Sequence, residues 1–281
     1  MSQAGRSVGV LGLGIVGSRI AEGYRASGWK VSVWSRTPRE VAGFLSSPRA
    51  VAAAAETIQL FVMNGESLLS AVREMAPVLT PRHLLINSAT VPLSATQEAA
   101  ALVAATGAAF LDAPFTGSRD AAAAGQLVYY VGGSEEAISR ARPLLENSSK
   151  QILPVGTIGD ATVLKLATNM ISAATLQVLA EAFALTAAAG IAPEKLQAAL
   201  EGNANCSGLI RMKAAAMLAR DFTPHFSLKN MLKDAQFAQD LATDHHLDLP
   251  VHRTATDCMA SLTQRGHGEE DFSVLARRYL K

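Results

Sequence analysis

Gly12, Gly14 and Gly17 stand at the GxGxxG interval in the segment Gly12-Leu13-Gly14-Ile15-Val16-Gly17, after an apolar run and before an amphipathic one. That context gives each glycine a task. Gly12 permits a tight turn, Gly14 lets the backbone approach a pyrophosphate, and Gly17 lets a helix pack closely on the preceding strand. The helix start offers N–H groups to the anion, with Leu13, Ile15 and Val16 alongside. The ligand this loop predicts is a dinucleotide. Which one is decided at the end of the next apolar run, Val33-Trp34-Ser35-Arg36-Thr37-Pro38-Arg39. No carboxylate stands there to repel a 2′-phosphate, Arg36 offers a bidentate fork, and Ser35 and Thr37 add hydroxyl donors. NADP is therefore favoured, with NAD still possible. The competing reading makes Arg36 and Arg39 solvated turn charges.

A second group of residues could move protons. Lys165 and Asn169 lie four apart in a stretch free of internal glycine and proline, so on a helix they share a face and can meet one ligand. A partly desolvated lysine has a lowered pKa and can exchange a proton with a substrate oxygen near neutral pH. A hydride carried by the dinucleotide would complete a reduction. Taken alone, Lys165 is an ordinary surface lysine on an amphipathic helix.

The elements that must position these groups follow an alternating pattern. Short β-branched runs at 7–11, 30–34, 58–63, 84–87, 109–113 and 127–132 alternate with alanine-rich helical stretches, which predicts a doubly wound parallel sheet of α/β class. Strand signals stop after Ile152. Residues 160–189 read as one long helix ended by Gly190, and helical patterns at 228–246 and 250–264, with Pro193 at a helix start, predict an all-helical second domain. The expected division is 1–159 for the dinucleotide-binding Rossmann domain and 160–281 for a substrate and oligomerisation domain. The long helix carries more alanine and leucine than a monomer tolerates exposed, which predicts a homodimer or homotetramer.

Composition removes several function classes. With 25 basic and 24 acidic residues and a net charge of +1, no broad field exists to recruit nucleic acid or an anionic bilayer. Cys206 and Cys258 are too few for a disulfide framework, so a reducing compartment is expected. The first residues lack a leader pattern, and 8–16 is too short and glycine-broken to span a membrane, so a cytoplasmic protein is expected. His83, His225, His245, His246, His252 and His267 show no metal-ligand spacing, and no metal is expected. Neither a GxSxG elbow nor a Walker loop occurs.

Three further segments, Leu111-Asp112-Ala113-Pro114-Phe115-Thr116-Gly117-Ser118, Gly159-Asp160-Ala161 leading to Lys165-Leu166-Ala167-Thr168-Asn169, and Phe226-Ser227-Leu228-Lys229-Asn230-Met231-Leu232-Lys233-Asp234, join the glycine loop in a fixed order. Together they resemble the β-hydroxyacid dehydrogenase family, which includes 3-hydroxyisobutyrate dehydrogenase, tartronate semialdehyde reductase and the glyoxylate/succinic semialdehyde reductases. The resemblance covers nearly the whole chain and implies that Lys165 is catalytic, with Asn169 orienting lysine and substrate. It implies that Thr116, Gly117 and Ser118 hold a substrate carboxylate, matching a serine-glycine-glycine from which this chain departs at the first and third positions. The ending Gly117-Ser118, followed by Gly125-Gln126-Leu127, is closer to the glyoxylate/succinic semialdehyde reductase branch. The resemblance also puts Thr90 and Lys233 at the nicotinamide half of the cofactor, with Met63 and Asn64 after a fourth-strand-like run that lines it. Phe226 and Asp234 match residues of the substrate pocket; taken alone, Phe226 reads as core and Lys233-Asp234 as a solvated pair.

The expectation is therefore an NADP-dependent reductase of a small carboxylate-bearing aldehyde, bound between the domains, with glyoxylate and succinic semialdehyde leading. Its rivals are another β-hydroxyacid dehydrogenase, an imine reductase, which usually lacks the lysine, and a non-catalytic cofactor-binding scaffold.

Overall fold

The computed structural model describes residues 6–279. They form two compact units, one ending at Lys165 and one beginning at Leu166.

In the first unit the alternation expected from the apolar runs is present: β1 (Ser7–Leu11), α1 (Ile15–Ala26), β2 (Lys30–Trp34), α2 (Pro48–Ala54), β3 (Thr57–Leu60), α3 (Gly65–Met75), β4 (Leu84–Asn87), α4 (Leu93–Ala104), β5 (Ala109–Asp112), β6 (Phe115–Thr116), α5 (Arg119–Ala123), β7 (Leu127–Gly132), α6 (Glu135–Leu145) and β8 (Ser149–Gly156). The sheet runs β2-β1-β3-β4-β5-β7-β6, with β8 on the other edge of β7. From β2 to β5 every pairing is parallel, while β7 runs antiparallel to β5 and β6. Side chains alternate across it. Val8 and Val10 of β1, with Leu84 and Ile86 of β4, enter the core against Ile20 and Tyr24 of α1, while Leu11 and Leu85 enter the opposite core with Leu68 and Val72 of α3. The order reverses at β1, so the loop after β1 opens at the carboxyl ends of the strands, where α/β sheets bind ligands.

Two strands depart from the sequence reading. β6 is too short to show alternation, and β8 is not expected because it opens on three polar residues, contains Pro154 and has no fully buried residue on its edge position. Proline is tolerated at such an edge. The run before Met63 and Asn64 is the third strand, not the fourth, and it ends at Leu60.

The long helix α7 (Asp160–Ala188) is followed by α8 (Pro193–Glu201), α9 (Gly208–Ala219), α10 (Leu228–Asp244) and α11 (Pro250–Leu262). In the second unit Ala173, Leu176, Ala180 and Phe183 of α7 pack with Met217 of α9, Met231 of α10 and Met259 of α11. A different side of α7 exposes Leu164, Ile171, Val178 and Leu185. By length and composition alone α7 could cross a membrane, a test that core helices also pass.

Candidate active site

Gly12 has φ +97°, a conformation open to glycine, and a Cβ added there would collide with the carbonyl oxygen of Phe61. A Cβ on Gly17 would strike the carbonyl oxygen of Gly12, so these two glycines close the turn on itself. Gly14 differs. It N-caps α1 without a side-chain hydrogen bond, no acidic residue occupies the first turn, and a Cβ added there would meet no protein atom within 4 Å. A cradle kept open by glycine at a helix N-terminus fits the pyrophosphate of a dinucleotide. Leu13 is buried beneath it, Val16 is half-buried, and Ile15 is 42% exposed.

At the end of β2 the Ser35 hydroxyl donates to the Thr37 carbonyl at 2.7 Å, folding a turn on which Arg36 and Thr37 are exposed. Ser35 therefore shapes the turn, and its proton is engaged there. Met63 is 50% exposed beside Asn64, whose Oδ1 accepts from Ser67 N at 2.9 Å as the N-cap of α3. Thr90 is half-buried just beyond β4.

The substrate loop is held by β6, where Thr116 pairs with Val128 of β7. Gly117 has φ +144° and is exposed, and Ser118 Oγ accepts from Ala121 N at 3.1 Å. That bond uses a lone pair of Ser118 and leaves its hydroxyl proton to donate, as a carboxylate requires.

Lys165 is half-buried on α7, and Asn169 is one turn further along the same helix. Within the second unit Asn169 Nδ2 donates to Asp234 Oδ2 at 2.7 Å, and Asp234 is only 2% exposed. Lys233 Nζ stands 2.7 Å from the other oxygen, Oδ1, and 4.8 Å above the Phe237 ring. Lys233-Asp234 is thus a partly buried ion pair and not the solvated pair that the dipeptide alone suggests. Phe226 is half-buried, meets Phe272 edge-to-face at 6.2 Å, and donates its amide to Asp271 Oδ2 at 3.2 Å.

Two functional supports were not singled out in the sequence. Asp112, at the end of β5, is fully buried and accepts from Gly159 and Thr162 at the start of α7. Burial pushes its carboxyl up to about 6 against the pull of the Thr162 and Gly159 donors, with the Asp160 charge adding to the rise. The second is a buried network centred on Gln59 of β3. Tyr24 OH donates to Gln59 Oε1 at 2.6 Å, and Gln59 Nε2 donates to Ser88 Oγ at 2.9 Å and Tyr129 OH at 3.2 Å. Burial pushes the Tyr129 hydroxyl up to about 12, so it stays a neutral donor, and Ser88 directly follows β4, two residues before Thr90. A lone glutamine inside Ile58-Gln59-Leu60 was the available signal.

A Rossmann sheet with an open glycine cradle, followed by a helical unit, defines the class: a dinucleotide-dependent oxidoreductase. A family model described as the NAD binding domain of 6-phosphogluconate dehydrogenase matches residues 7–158, and one described as the NAD-binding of NADP-dependent 3-hydroxyisobutyrate dehydrogenase matches 159–279. The chain is 27% identical to glyoxylate/succinic semialdehyde reductase 2 of Arabidopsis thaliana, over 96% of this chain and 78% of that one. It is 29% identical to a probable 3-hydroxyisobutyrate dehydrogenase of Mycobacterium bovis, over 96% of each. The solved 3-hydroxyisobutyrate dehydrogenase of Mycobacterium tuberculosis with L-serine superposes with a TM-score of 0.90 at 26% identity, over 99% of this chain and 100% of that one.

The chain belongs to the β-hydroxyacid dehydrogenase family, the NAD(P)-dependent enzymes that act on CH–OH groups. This removes the non-catalytic scaffold from the readings open at the level of sequence.

Proposed function

We propose that this enzyme is an NADP-dependent reductase of a small aldehyde acid of glyoxylate or succinic semialdehyde type. The observation that carries the reading is the half-buried Lys165, on the helix whose first turn is bonded to the strand leading into Thr116, Gly117 and Ser118. When bound, NADPH supplies the hydride. Arg36 and the Thr37 hydroxyl would hold the 2′-phosphate, and Gly12, Gly14 and the first amides of α1 would hold the pyrophosphate. The hydroxyls of Thr116 and Ser118 and the Gly117 backbone orient the carboxylate. Lys165, as its ammonium, gives a proton to the carbonyl oxygen as that oxygen gains charge, and Asn169, one turn further along the same helix, is held by its hydrogen bond to Asp234. The reductase named among the relatives supports an aldehyde acid, and L-serine in the solved relative supports a carboxylate on a short hydroxylated chain.

Lys165→Met tests the mechanism. Turnover should fall by about three orders of magnitude while NADPH binding by fluorescence titration persists; near-normal turnover overturns it. An NADPH-consumption screen over glyoxylate, succinic semialdehyde, tartronate semialdehyde and methylmalonate semialdehyde, repeated with NADH, tests substrate and cofactor. Turnover of a cyclic imine but no aldehyde would make it an imine reductase instead.

A second copy of the chain, giving a homodimer or homotetramer, covers the exposed side of α7. Leu164, Ile171, Val178 and Leu185 recur every seven residues, the spacing of a helix–helix seam. The same helix bonds Gln177 Nε2 to Glu181 and to the Tyr279 hydroxyl, partners suited to protein and water and not to lipid. A monomer by sedimentation would refute this. A reducing, cytoplasmic setting accords with Cys206 and Cys258, both free thiols.

A further inference from the structure

Asp112 closes β5 four residues before Thr116, yet its bonds go to another element. Its Oδ2 accepts from Gly159 N at 3.2 Å and from Thr162 N at 2.9 Å. Thr162 Oγ1 lies 3.0 Å from Oδ1 and 2.9 Å from Oδ2, and 3.2 Å from Thr96 Oγ1 of α4. Gly159 itself has φ +101°, and a Cβ there would press on Leu93 at 2.7 Å, so the turn into α7 is built for this position.

The first N–H groups of a helix have no acceptor within the helix. Here one buried carboxylate accepts two amides and a hydroxyl at the start of α7, and those bonds fix the first turn against the sheet. Thr162 and Lys165 are three apart and share a face, so the side chain carrying the proton is set by the turn that Asp112 holds. The strand that delivers Asp112 also leads into the carboxylate-binding loop.

We propose that Asp112 is a positioning residue for Lys165, fastening the first turn of the lysine helix to the root of the loop Thr116, Gly117 and Ser118. This rests on Lys165 being the proton donor. The fastening is geometric. An asparagine at 112 can place its oxygen where Oδ2 accepts both amides, while its Nδ2 donates to Thr162 Oγ1, which then turns its own proton toward Thr96 Oγ1. An alanine provides none of these bonds.

Asp112→Ala, Asp112→Asn and Thr162→Val are compared by steady-state NADPH oxidation, NADPH titration and amide hydrogen exchange over residues 159–165. Asp112→Ala is expected to lose about 30-fold or more in kcat, with NADPH affinity within about twofold of the parent and faster exchange in that segment. Asp112→Asn is expected to stay within about fivefold of the parent in kcat, with parental exchange. A parental kcat for Asp112→Ala, unchanged exchange over 159–165, or an asparagine variant as impaired as the alanine one overturns the proposal. If Asp112→Ala does not fold, Thr162→Val decides. It removes one leg of the clamp and should cost about three- to tenfold in kcat with NADPH binding kept; no loss overturns it. Exchange needs no substrate, so a wrong assignment of Lys165 shows in Lys165→Met while the exchange comparison still judges Asp112.

Discussion

Breaking the buried ion pair of the helical unit should be costly in a way that exposes its cause. Lys213 Nζ lies 2.7 Å from Asp271 Oδ1, the two side chains are 4% and 2% exposed, and the ammonium also sits 4.8 Å above the Phe272 ring. Asp271 further accepts from His225 N, Phe226 N, Ser273 N and Ser273 Oγ. Removing one partner of such a pair strands the other charge away from water, a cost of about 3–5 kcal/mol. The two single variants should not be equal. Lys213→Met leaves a carboxylate that keeps four donors, so about 3 kcal/mol is expected. Asp271→Asn removes the counter-charge of a buried ammonium and sets its amide N–H groups against groups that are themselves donors, on whichever side they turn, so about 5 kcal/mol is expected. Independent losses would sum to about 8 kcal/mol, whereas the double variant should cost no more than Asp271→Asn alone, a coupling of about 3 kcal/mol.

The assay is urea unfolding followed by far-UV circular dichroism, with the helical unit dominating the signal. Burial raises the Asp271 carboxyl, but the Lys213 charge and its hydrogen bond outweigh this and hold it below its usual 3.8. A folded value depressed below the unfolded one contributes stability that is present above about pH 4 and lost as pH falls below it. Asp271→Asn should show less of that acid loss than the parent, with a remainder from Asp221 and Glu270, whose carboxyls are also held low. Additive costs, or a cost under about 1 kcal/mol for Asp271→Asn, the value of an exposed pair, would refute the reasoning. Because Phe226 donates its amide to Asp271, the variant should also raise KM.

Gly14→Ala should fold normally yet bind NADPH at least about tenfold more weakly, because the added methyl meets no protein atom and fills the cradle; calorimetry and thermal melts separate the two effects. Gly17→Ala should destabilise the fold itself by about 2 kcal/mol or more, since its methyl strikes the Gly12 carbonyl. Arg36→Ala should raise the KM for NADPH about tenfold or more and leave that for NADH within about twofold, read from initial rates with both cofactors.

Much of the fold was legible because it follows from local periodicity. β1, β2, β4 and β7 begin and end where the apolar runs do, and α7 ends one residue short of the expected 189. β8 escaped because an exposed edge needs neither alternation nor β-branched residues. The glycine cradle was legible for a related reason. Its chemistry is that of the backbone, and spacing alone encodes a turn. Asp112, Asp271 and Gln59 were not legible in this way. Their partners Thr162, Lys213 and Tyr24 lie dozens of residues away, and only the packed structure makes them meet. The Lys233-Asp234 dipeptide is the instructive middle case. It reads as two solvated charges until α10 buries the aspartate against Asn169.

Asp112 and Asp271 solve one problem by two electrostatic routes. Each is a buried carboxylate that collects amides from a segment beside a candidate substrate residue. Asp271 has a buried cation, and its carboxyl is held down. The contacts of Asp112 are two amides and a hydroxyl, with Asp160 as a like charge, and its carboxyl rises to about 6. The linkage therefore runs in opposite directions. A folded value raised above 3.8 means the fold holds a proton that the unfolded chain has released between about pH 4 and 6, so this contribution to stability declines as pH rises through that window. Holding Asp112 ionised at neutral pH costs roughly 3 kcal/mol. A cation beside it would remove that cost, but it would place a second positive charge near the turn that leads to Lys165. Neutral amides at the helix start hold the carboxylate without adding one.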